Sequence, residues 1–362
     1  MFFCQSGKFI KMKDKIKLGF VGAGFMGQVA HLSNYYDLTG CEIVALAELR
    51  EDLREAVAHR YGIAQQYATH TELLKKADVD AIVAVTPRSM IFEVARDCLL
   101  AGKHLLTEKP MALGLSQAQE LVEIAKEKNL TYAVGFMRRY DAGIQRAKDI
   151  YDSSVQTGKM GEAIFLKVHC FGGDNYCNID SAIKSNSNIP DFKTDDHFVP
   201  SWIPLPRKKD YARFLNVYCH NINLVRYFLS GPLQVDYVDL KRPDSGVVVL
   251  NADGLLCVLE LGNYGLNGWS ETMEILFKDG HIKIFPPPAL LRNVSATVET
   301  YIGRGIDQKT INGNDWSWSF RRQAVAFIES LQTGRPLMTE GKNCLEDMRM
   351  IEEIWKRELG VS

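Results

Sequence analysis

The segment "GFVGAGFMGQ", Gly19 to Gln28, restricts what this chain can fold into more than any other. It closes the short apolar run "IKLGFVG" and opens "FMGQVAHLSNYY", whose apolar spacing is helical. Gly22, Gly24 and Gly27 thus form G-x-G-x-x-G at a strand-to-helix turn, the context in which the pattern has mechanical meaning. Gly22 permits the tight turn, Gly24 lets bare backbone approach a pyrophosphate, and Gly27 lets the helix pack closely. The helix N-terminus then offers unpaired N–H groups to phosphate. Glu48 ends the next apolar strand, "CEIVALAE", 21 residues beyond Gly27. A carboxylate there accepts hydrogen bonds from adenine-ribose hydroxyls and repels a 2′-phosphate, so NAD is the expected cofactor; the nearby Arg50 leaves NADP open.

The same strand-helix unit then repeats. "REDLREAVAHRYG" reads as a helix stopped by Gly62, "DAIVAVTP" as a strand, and "MIFEVARDCLLAG" as a helix ending at Gly102. "KHLLTEKP" is a strand, Ser116 and Gln119 have capping-box spacing for the next helix, and "TYAVGF" is a further strand. Apolar strands separated by amphipathic helices imply a parallel sheet covered on both faces. Residues 15–136 are therefore expected to form a doubly wound Rossmann domain, preceded by a loose extension, 1–14.

Past a helix from Asp141 to about Val155 the rhythm changes. "EAIFLKVHCF", "LQVDYVDLK", "GVVVLNADGLLCVLELG" and "TMEILFKDGHIKIF" alternate strands with turns, and "NADG" and "KDGH" are hairpin signals. Residues 137–362 are expected to form an open, largely antiparallel sheet with helices on one face, closed by "DWSWSFRRQAVAFIESL" and "NCLEDMRMIEEIWKREL". The polar stretch from Gly172 to Tyr211 has no clear period; a loop that long is functional or mobile, and substrate specificity is expected there. A substrate would lie in the cleft between the two sheets, at the carboxyl ends of the parallel strands.

Composition removes several classes. Forty-three basic residues balance forty-four acidic ones, without the basic run that nucleic-acid binding requires. No apolar run reaches membrane-spanning length, and the N-terminus has no signal-peptide core. Eight cysteines scattered singly fit reduced thiols and a cytoplasmic location better than a disulfide framework. Cys170 and Cys177 are the nearest pair, and no other spacing supports a zinc site, so no metal is expected.

"FLNVYCHNINLVRYFL", Phe214 to Leu229, reads as one buried helix on which Asn216, His220 and Asn223 share a polar stripe. An isolated histidine on an apolar helix is commonly a satisfied core group; its polar companions point instead to a cavity. Lys109, at the carboxyl end of a parallel strand, can donate to a substrate hydroxyl and stabilise developing negative oxygen.

From Ile16 to the last helix the chain resembles the glucose–fructose oxidoreductase / inositol dehydrogenase / rhizopine oxidoreductase (Gfo/Idh/MocA) family, through "GFVGAGFMG", "TEKPMAL", "VGFMRRYD", "GKMGE" and "NVYCH". The resemblance implies an NAD(P)-dependent oxidoreductase acting on a sugar, cyclitol or derivative, and points to Lys109 of E-K-P as an active-site group. The family's D-x-x-x-H, often followed by a second acid, is present here with His220 kept and Asn216 and Asn223 at the acid positions. An amide can fix the ring's tautomer but cannot stabilise an imidazolium, so His220 is expected to stay neutral near pH 7. The expected catalytic set is Lys109, His220 and Asn216, with Tyr140 joining them against the substrate. The expected nucleotide set is Gly22, Gly24, Phe25, Met26, Gly27, Glu48, Arg50, Thr86, Pro87, Glu108 and Lys109. Asp195, Asp196, His197, Tyr218 and Tyr140 are candidates for the missing proton relay, and "WSW" for stacking on a sugar ring or for helix packing. Two rival readings keep the nucleotide: transient oxidation that drives glycoside or ether cleavage, and a non-catalytic dinucleotide sensor. Relatives commonly pair through the open face of the second sheet, so a homodimer or homotetramer is expected.

Overall fold

The computed structural model describes residues 15–173, 176–187, 199–264, 268–303, 308–312 and 316–361. The parallel unit runs β1 (Ile16–Val21), α1 (Gly27–Leu32, continued as Ser33–Tyr35), β2 (Cys41–Ala47), α2 (Glu51–Tyr61), β3 (Gln65–Tyr67), α3 (His70–Lys76), β4 (Ala81–Ala84), α4 (Arg88–Leu100), β5 (His104–Thr107), α5 (Leu115–Glu127) and β6 (Tyr132–Val134). Its six strands lie in the order β3-β2-β1-β4-β5-β6, all parallel. The order reverses between β1 and β4, which opens a crevice at their carboxyl ends. Leu18, Phe20, Ile82 and Val83 are fully buried there, as strands covered on both faces require. The first turn of α1 is π-wound, a widening that occurs mostly at functional sites.

Ser116 does not cap α5. Gly114 stands at the cap, Leu115 is the first helical residue, and the expected capping box is displaced into the first turn. The short β3 and α3 carry too little apolar pattern to be read from sequence.

Asp141 caps α6 (Ala142–Thr157), accepting from the N–H groups of Gly143 and Ile144. The second sheet comprises β7 (Ala163–Gly172), β8 (Gln234–Asp239), β9 (Ser245–Ala252), β10 (Leu255–Asn263), β11 (Ser270–Phe277), β12 (Gly280–Phe285), β13 (Thr297–Ile302) and β14 (Gln308–Asn312). Their order is β14-β13-β12-β11-β7-β10-β9-β8, antiparallel except where β7 meets β10. Strands β13 and β14 extend the sheet beyond the four strand segments legible in the sequence. Asp253 and Gly254, both at positive φ, turn the "NADG" hairpin.

The expected single helix from Phe214 to Leu229 is two: α7 (Lys208–Val217) and α8 (Cys219–Phe228), separated at Tyr218. Lys208 to Tyr211, expected in the long loop, already belong to α7. Helices α9 (Ser319–Thr333) and α10 (Gly341–Leu359) close the chain. Helix α10 packs on α5, α8 and β8, tying the two sheets together. No helix among the described residues is long and apolar enough to cross a membrane.

Candidate active site

The glycine turn is built by exclusion. Gly22 has φ +92°, and a Cβ there would lie 2.2 Å from the carbonyl oxygen of Val85; one on Gly27 would lie 2.5 Å from that of Gly22. Gly24 differs: its Cβ would meet only the Nη2 of Arg50, at 3.8 Å. Bare backbone there faces open space beside a guanidinium, which fits the pyrophosphate of a dinucleotide. Glu48 Oε2 accepts from Ala23 N–H at 2.9 Å, and Oε1 accepts from Arg50 Nε at 2.8 Å. Burial opposes ionisation of Glu48, but these hydrogen bonds outweigh it and hold the carboxyl below its usual range. The crevice continues past Thr86, whose buried hydroxyl has no partner among the described residues, to Pro87 at the start of α4.

These groups open into a cleft of about 640 Å³ that reaches the end of the second sheet. Phe25, Met26, Thr86, Pro87, Glu108, Lys109, Asn216 and His220 all line it. Lys109, joined to Pro110 by a cis peptide bond, donates from Nζ to the carbonyl of Asn216 at 2.7 Å and to its Oδ1 at 3.3 Å. The break at Tyr218 explains this contact. Asn221 and Ile222 N–H groups both turn to the carbonyl of Tyr218, and the Asn216 carbonyl in the last turn of α7 is capped by an ammonium.

Behind Lys109, Glu108 is buried and accepts from His31 Nε2 at 2.6 Å and from the Lys109 N–H at 3.1 Å. Burial again opposes its charge, and the His31 hydrogen bond prevails, lowering its pKa. His31, on α1, gives no sign of this role in the sequence. It fastens the helix that begins at the glycine turn to the strand end that carries Lys109.

Three expectations are corrected. Asn216 serves Lys109, with no bond to the His220 ring. Asn223 leaves the cleft: it is fully buried and donates to Asp347 Oδ2 on α10 at 2.7 Å, beside Arg226. Asn216 lies on α7, whereas His220 and Asn223 lie on α8 with Asn223 turned toward α10, so the three do not share a cleft-facing stripe. Tyr140 does not line the cleft either; it is 2% exposed, bonds the Thr339 hydroxyl, and burial pushes its own hydroxyl up to about 12. Tyr218 does line the cleft, but donates to the Gly262 carbonyl at 2.8 Å. Asp195, Asp196 and His197 lie outside the described residues. Of "WSW", Trp318 packs under Arg292 and against Phe320, while Trp316 is 85% exposed.

His220 stands edge-on to Phe136, with Nδ1 buried and without a partner among the described residues. Burial, then the charges of Lys109 and Arg138, hold its pKa well below 6.5, so the ring is neutral at pH 7. The absent carboxylates alone would predict neutrality; the larger causes are desolvation and two cations. The cleft also contains Arg138, which falls within "VGFMRRYD" but takes no role from the sequence, together with Asn221, Trp269 and Glu271. Glu271 does carry a signal: it falls in the buried phase of β11 with Met273, Ile275 and Phe277. Among the described residues no three His, Cys, Asp or Glu side chains gather to hold a metal.

A glycine cradle, a buried acid at the end of β2 and a lysine reaching a cleft against a second sheet define a dinucleotide-binding oxidoreductase. Residues 16–136 match the Gfo/Idh/MocA family, described as an oxidoreductase family with an NAD-binding Rossmann fold. Over that segment the chain is similar to the family. It is 23% identical over 345 residues to a myo-inositol 2-dehydrogenase of Thermotoga maritima, covering 91% of this chain and 92% of that one. It is 29% identical over 261 residues to an inositol 2-dehydrogenase/D-chiro-inositol 3-dehydrogenase of Lacticaseibacillus casei, covering 69% and 73%. Among solved structures, KijD10, a 3-ketoreductase of Actinomadura kijaniata in complex with NADP and TDP-benzene, superimposes with a TM-score of 0.73 at 17% identity, covering 95% and 98%. A dehydrogenase (MviM) of Clostridium difficile gives 0.71 at 20%, covering 94% and 99%.

Proposed function

We propose that this chain moves hydride between a nicotinamide and a carbinol carbon of a cyclitol or sugar, with NAD as the preferred nucleotide. The observation that carries the reading is Lys109: its ammonium is held at the end of α7, in one cleft with the glycine turn and a neutral histidine. The inositol dehydrogenases among its relatives support the substrate class, and the ionised Glu48 beside the turn supports NAD over NADP. Gly22, Gly24, Gly27, Phe25, Met26, Thr86 and Pro87 would hold the nucleotide, with Glu48 and Arg50 at its ribose. When bound, nicotinamide supplies the hydride acceptor or donor.

The remaining work falls to side chains. Lys109 donates to the reacting oxygen and stabilises its negative charge, while Asn216 orients the ammonium. His220 takes the hydroxyl proton on Nε2, because Nδ1 is buried. Its low pKa keeps it free to accept near neutrality but makes it a weak proton holder, so the proton passes on to water. Glu108 and His31 fix the backbone of Lys109. We further assign residues 15–136 and 137–362 to separate domains, the chain to the cytoplasm, and the outer face of the second sheet to a homodimer or homotetramer contact. A monomeric mass by solution scattering would remove the last assignment.

The test monitors absorbance at 340 nm with NAD⁺ or NADP⁺ against cyclitols, sugars and glycosides, with products weighed by mass spectrometry. Steady NADH formation, reduced about 10²–10⁴-fold in His220→Ala with nucleotide binding retained, is expected. An aglycone released without net absorbance change would replace this reading with transient-redox cleavage.

A further inference from the structure

The inner face of the second sheet is apolar along its middle, where Leu166, Val168, Leu259, Met273 and Ile275 are buried. Glu271 interrupts it. It lies in phase with Met273 and Ile275, is 7% exposed, and sits opposite Cys170 of β7 where that face runs out into the cleft. Desolvating a carboxylate there is costly unless it is paired and hydrogen-bonded.

The pairing is lopsided. Arg138 Nη2 and Trp269 Nε1, the latter at 3.1 Å, both donate to Oε2. Arg138 Nη1 donates elsewhere, to the carbonyl of Pro287 at 2.6 Å. Arginine–carboxylate pairs frequently place the guanidinium fork across both oxygens. Here both donors converge on one oxygen. No described residue donates to Oε1, and Glu271 lines the cleft.

Resting on the cyclitol or sugar reading above, we propose that Glu271 is a substrate-binding carboxylate whose Oε1 accepts a hydrogen bond from a ring hydroxyl other than the one oxidised, with Trp269 walling that subsite. The separation from the reacting oxygen comes from placement. Lys109 and His220 come from the end of β5 and from α8, whereas Glu271 and Trp269 come from β11 and the turn before it. The subsite selects an uncharged ring that presents a hydroxyl donor, because a carboxylate acceptor repels an anionic group and gains nothing from a deoxy position. Burial raises the pKa of Glu271, with Arg138 pulling it back. The acceptor form is therefore lost earlier on acidification than for an ordinary glutamate, and substrate affinity falls with it.

The test compares wild type, Glu271→Gln and Trp269→Ala with myo-inositol, D-chiro-inositol, D-glucose and D-galactose, with NAD⁺ or NADP⁺, from pH 5 to 9. NADH binding is measured by fluorescence as a control on folding. For the ring that wild type oxidises, Glu271→Gln should raise KM about 10- to 100-fold with a smaller change in kcat, and should flatten the acid limb of kcat/KM. KM within twofold of wild type, with the acid limb intact, overturns the proposal while leaving the dehydrogenase reading standing. If wild type binds NADH but oxidises none of the four, the cyclitol or sugar reading fails and takes this subsite with it. If Glu271→Gln loses NADH binding through misfolding, Trp269→Ala decides: it removes the wall of the subsite and leaves the carboxylate in place, so KM should rise, and an unchanged KM overturns the proposal.

Discussion

Alanine at Gly24 separates a glycine kept for the fold from one kept for a ligand. At Gly22 the backbone has φ +92° and a Cβ would lie 2.2 Å from the Val85 carbonyl oxygen. Strain from such a dihedral costs about 1–3 kcal/mol before the clash is added. Gly22→Ala should therefore lower Tm by roughly 5–10 °C, taking about 2–4 °C per kcal/mol. At Gly24 φ lies outside the glycine-favouring positive range, and the nearest atom to the added methyl is the mobile end of Arg50, 3.8 Å away. The fold should absorb Gly24→Ala with a Tm change within about 2 °C, since removing glycine also restricts the unfolded chain. That methyl nonetheless fills space into which a pyrophosphate must come, and overpacking of this size costs about 1–3 kcal/mol. NADH affinity should fall about 5- to 140-fold. Thermal scans paired with titrations of tryptophan-to-NADH energy transfer read both effects. Gly24→Ala that binds NADH as wild type does would refute the placing of the pyrophosphate on this turn. Gly24→Ala that is as unstable as Gly22→Ala would return the residue to a structural role.

Glu48→Gln should improve use of NADP⁺ relative to NAD⁺ by about tenfold, because it removes the anion and loosens Arg50 toward a 2′-phosphate; an unchanged kcat/KM ratio for the two nucleotides would contradict this. His31→Ala leaves Glu108 buried without its 2.6 Å donor and should lose about 2–4 kcal/mol in urea unfolding at pH 7. That loss should shrink on acidification: the lowered pKa of Glu108 means its stabilisation is present above the unfolded value and disappears as pH falls through the folded one. His220 adds a component of the same sign at higher pH. Its pKa is depressed in the fold, so the unfolded chain binds the extra proton and stability falls as pH drops below about 6.5, by at most about 1.4 kcal/mol per pH unit. His220→Asn should lack that component in unfolding curves between pH 7.5 and 5; identical slopes would show that the ring is solvated.

The parts legible from sequence are those governed by neighbours along the chain. The glycine turn, Glu48 at the end of β2 and Lys109 at the end of β5 are set by local strand-helix alternation, and the cleft lies where the parallel strands end. Features that depend on distant partners are not legible in this way. Tyr218 breaks a helix without glycine or proline, where its hydroxyl meets Gly262 and Lys109 caps Asn216. Asn223 has the spacing of a cleft residue, yet Asp347, 124 positions later, supplies its partner. His31 has the pattern of helix filling, because Glu108 lies 77 positions away. Glu271 does show itself, as a charge in the apolar phase of β11, but its meaning requires Arg138.

These distant contacts give the two asparagines a physical sense. Asn216 Oδ1 lies 3.3 Å from the ammonium of Lys109. A carboxylate in its place would compensate that charge and weaken one of the two cations that hold His220 neutral. The amide accepts from Lys109 without compensating its charge. Asn223 in turn meets a buried acid already paired with Arg226; a second carboxylate there would face Asp347 at hydrogen-bond distance, and burial already raises the pKa of Asp347. One amide therefore preserves positive charge in the cleft, and the other avoids stacking two anions in the core. With amides rather than acids at these positions of α7 and α8, neither side chain compensates the charge of Lys109.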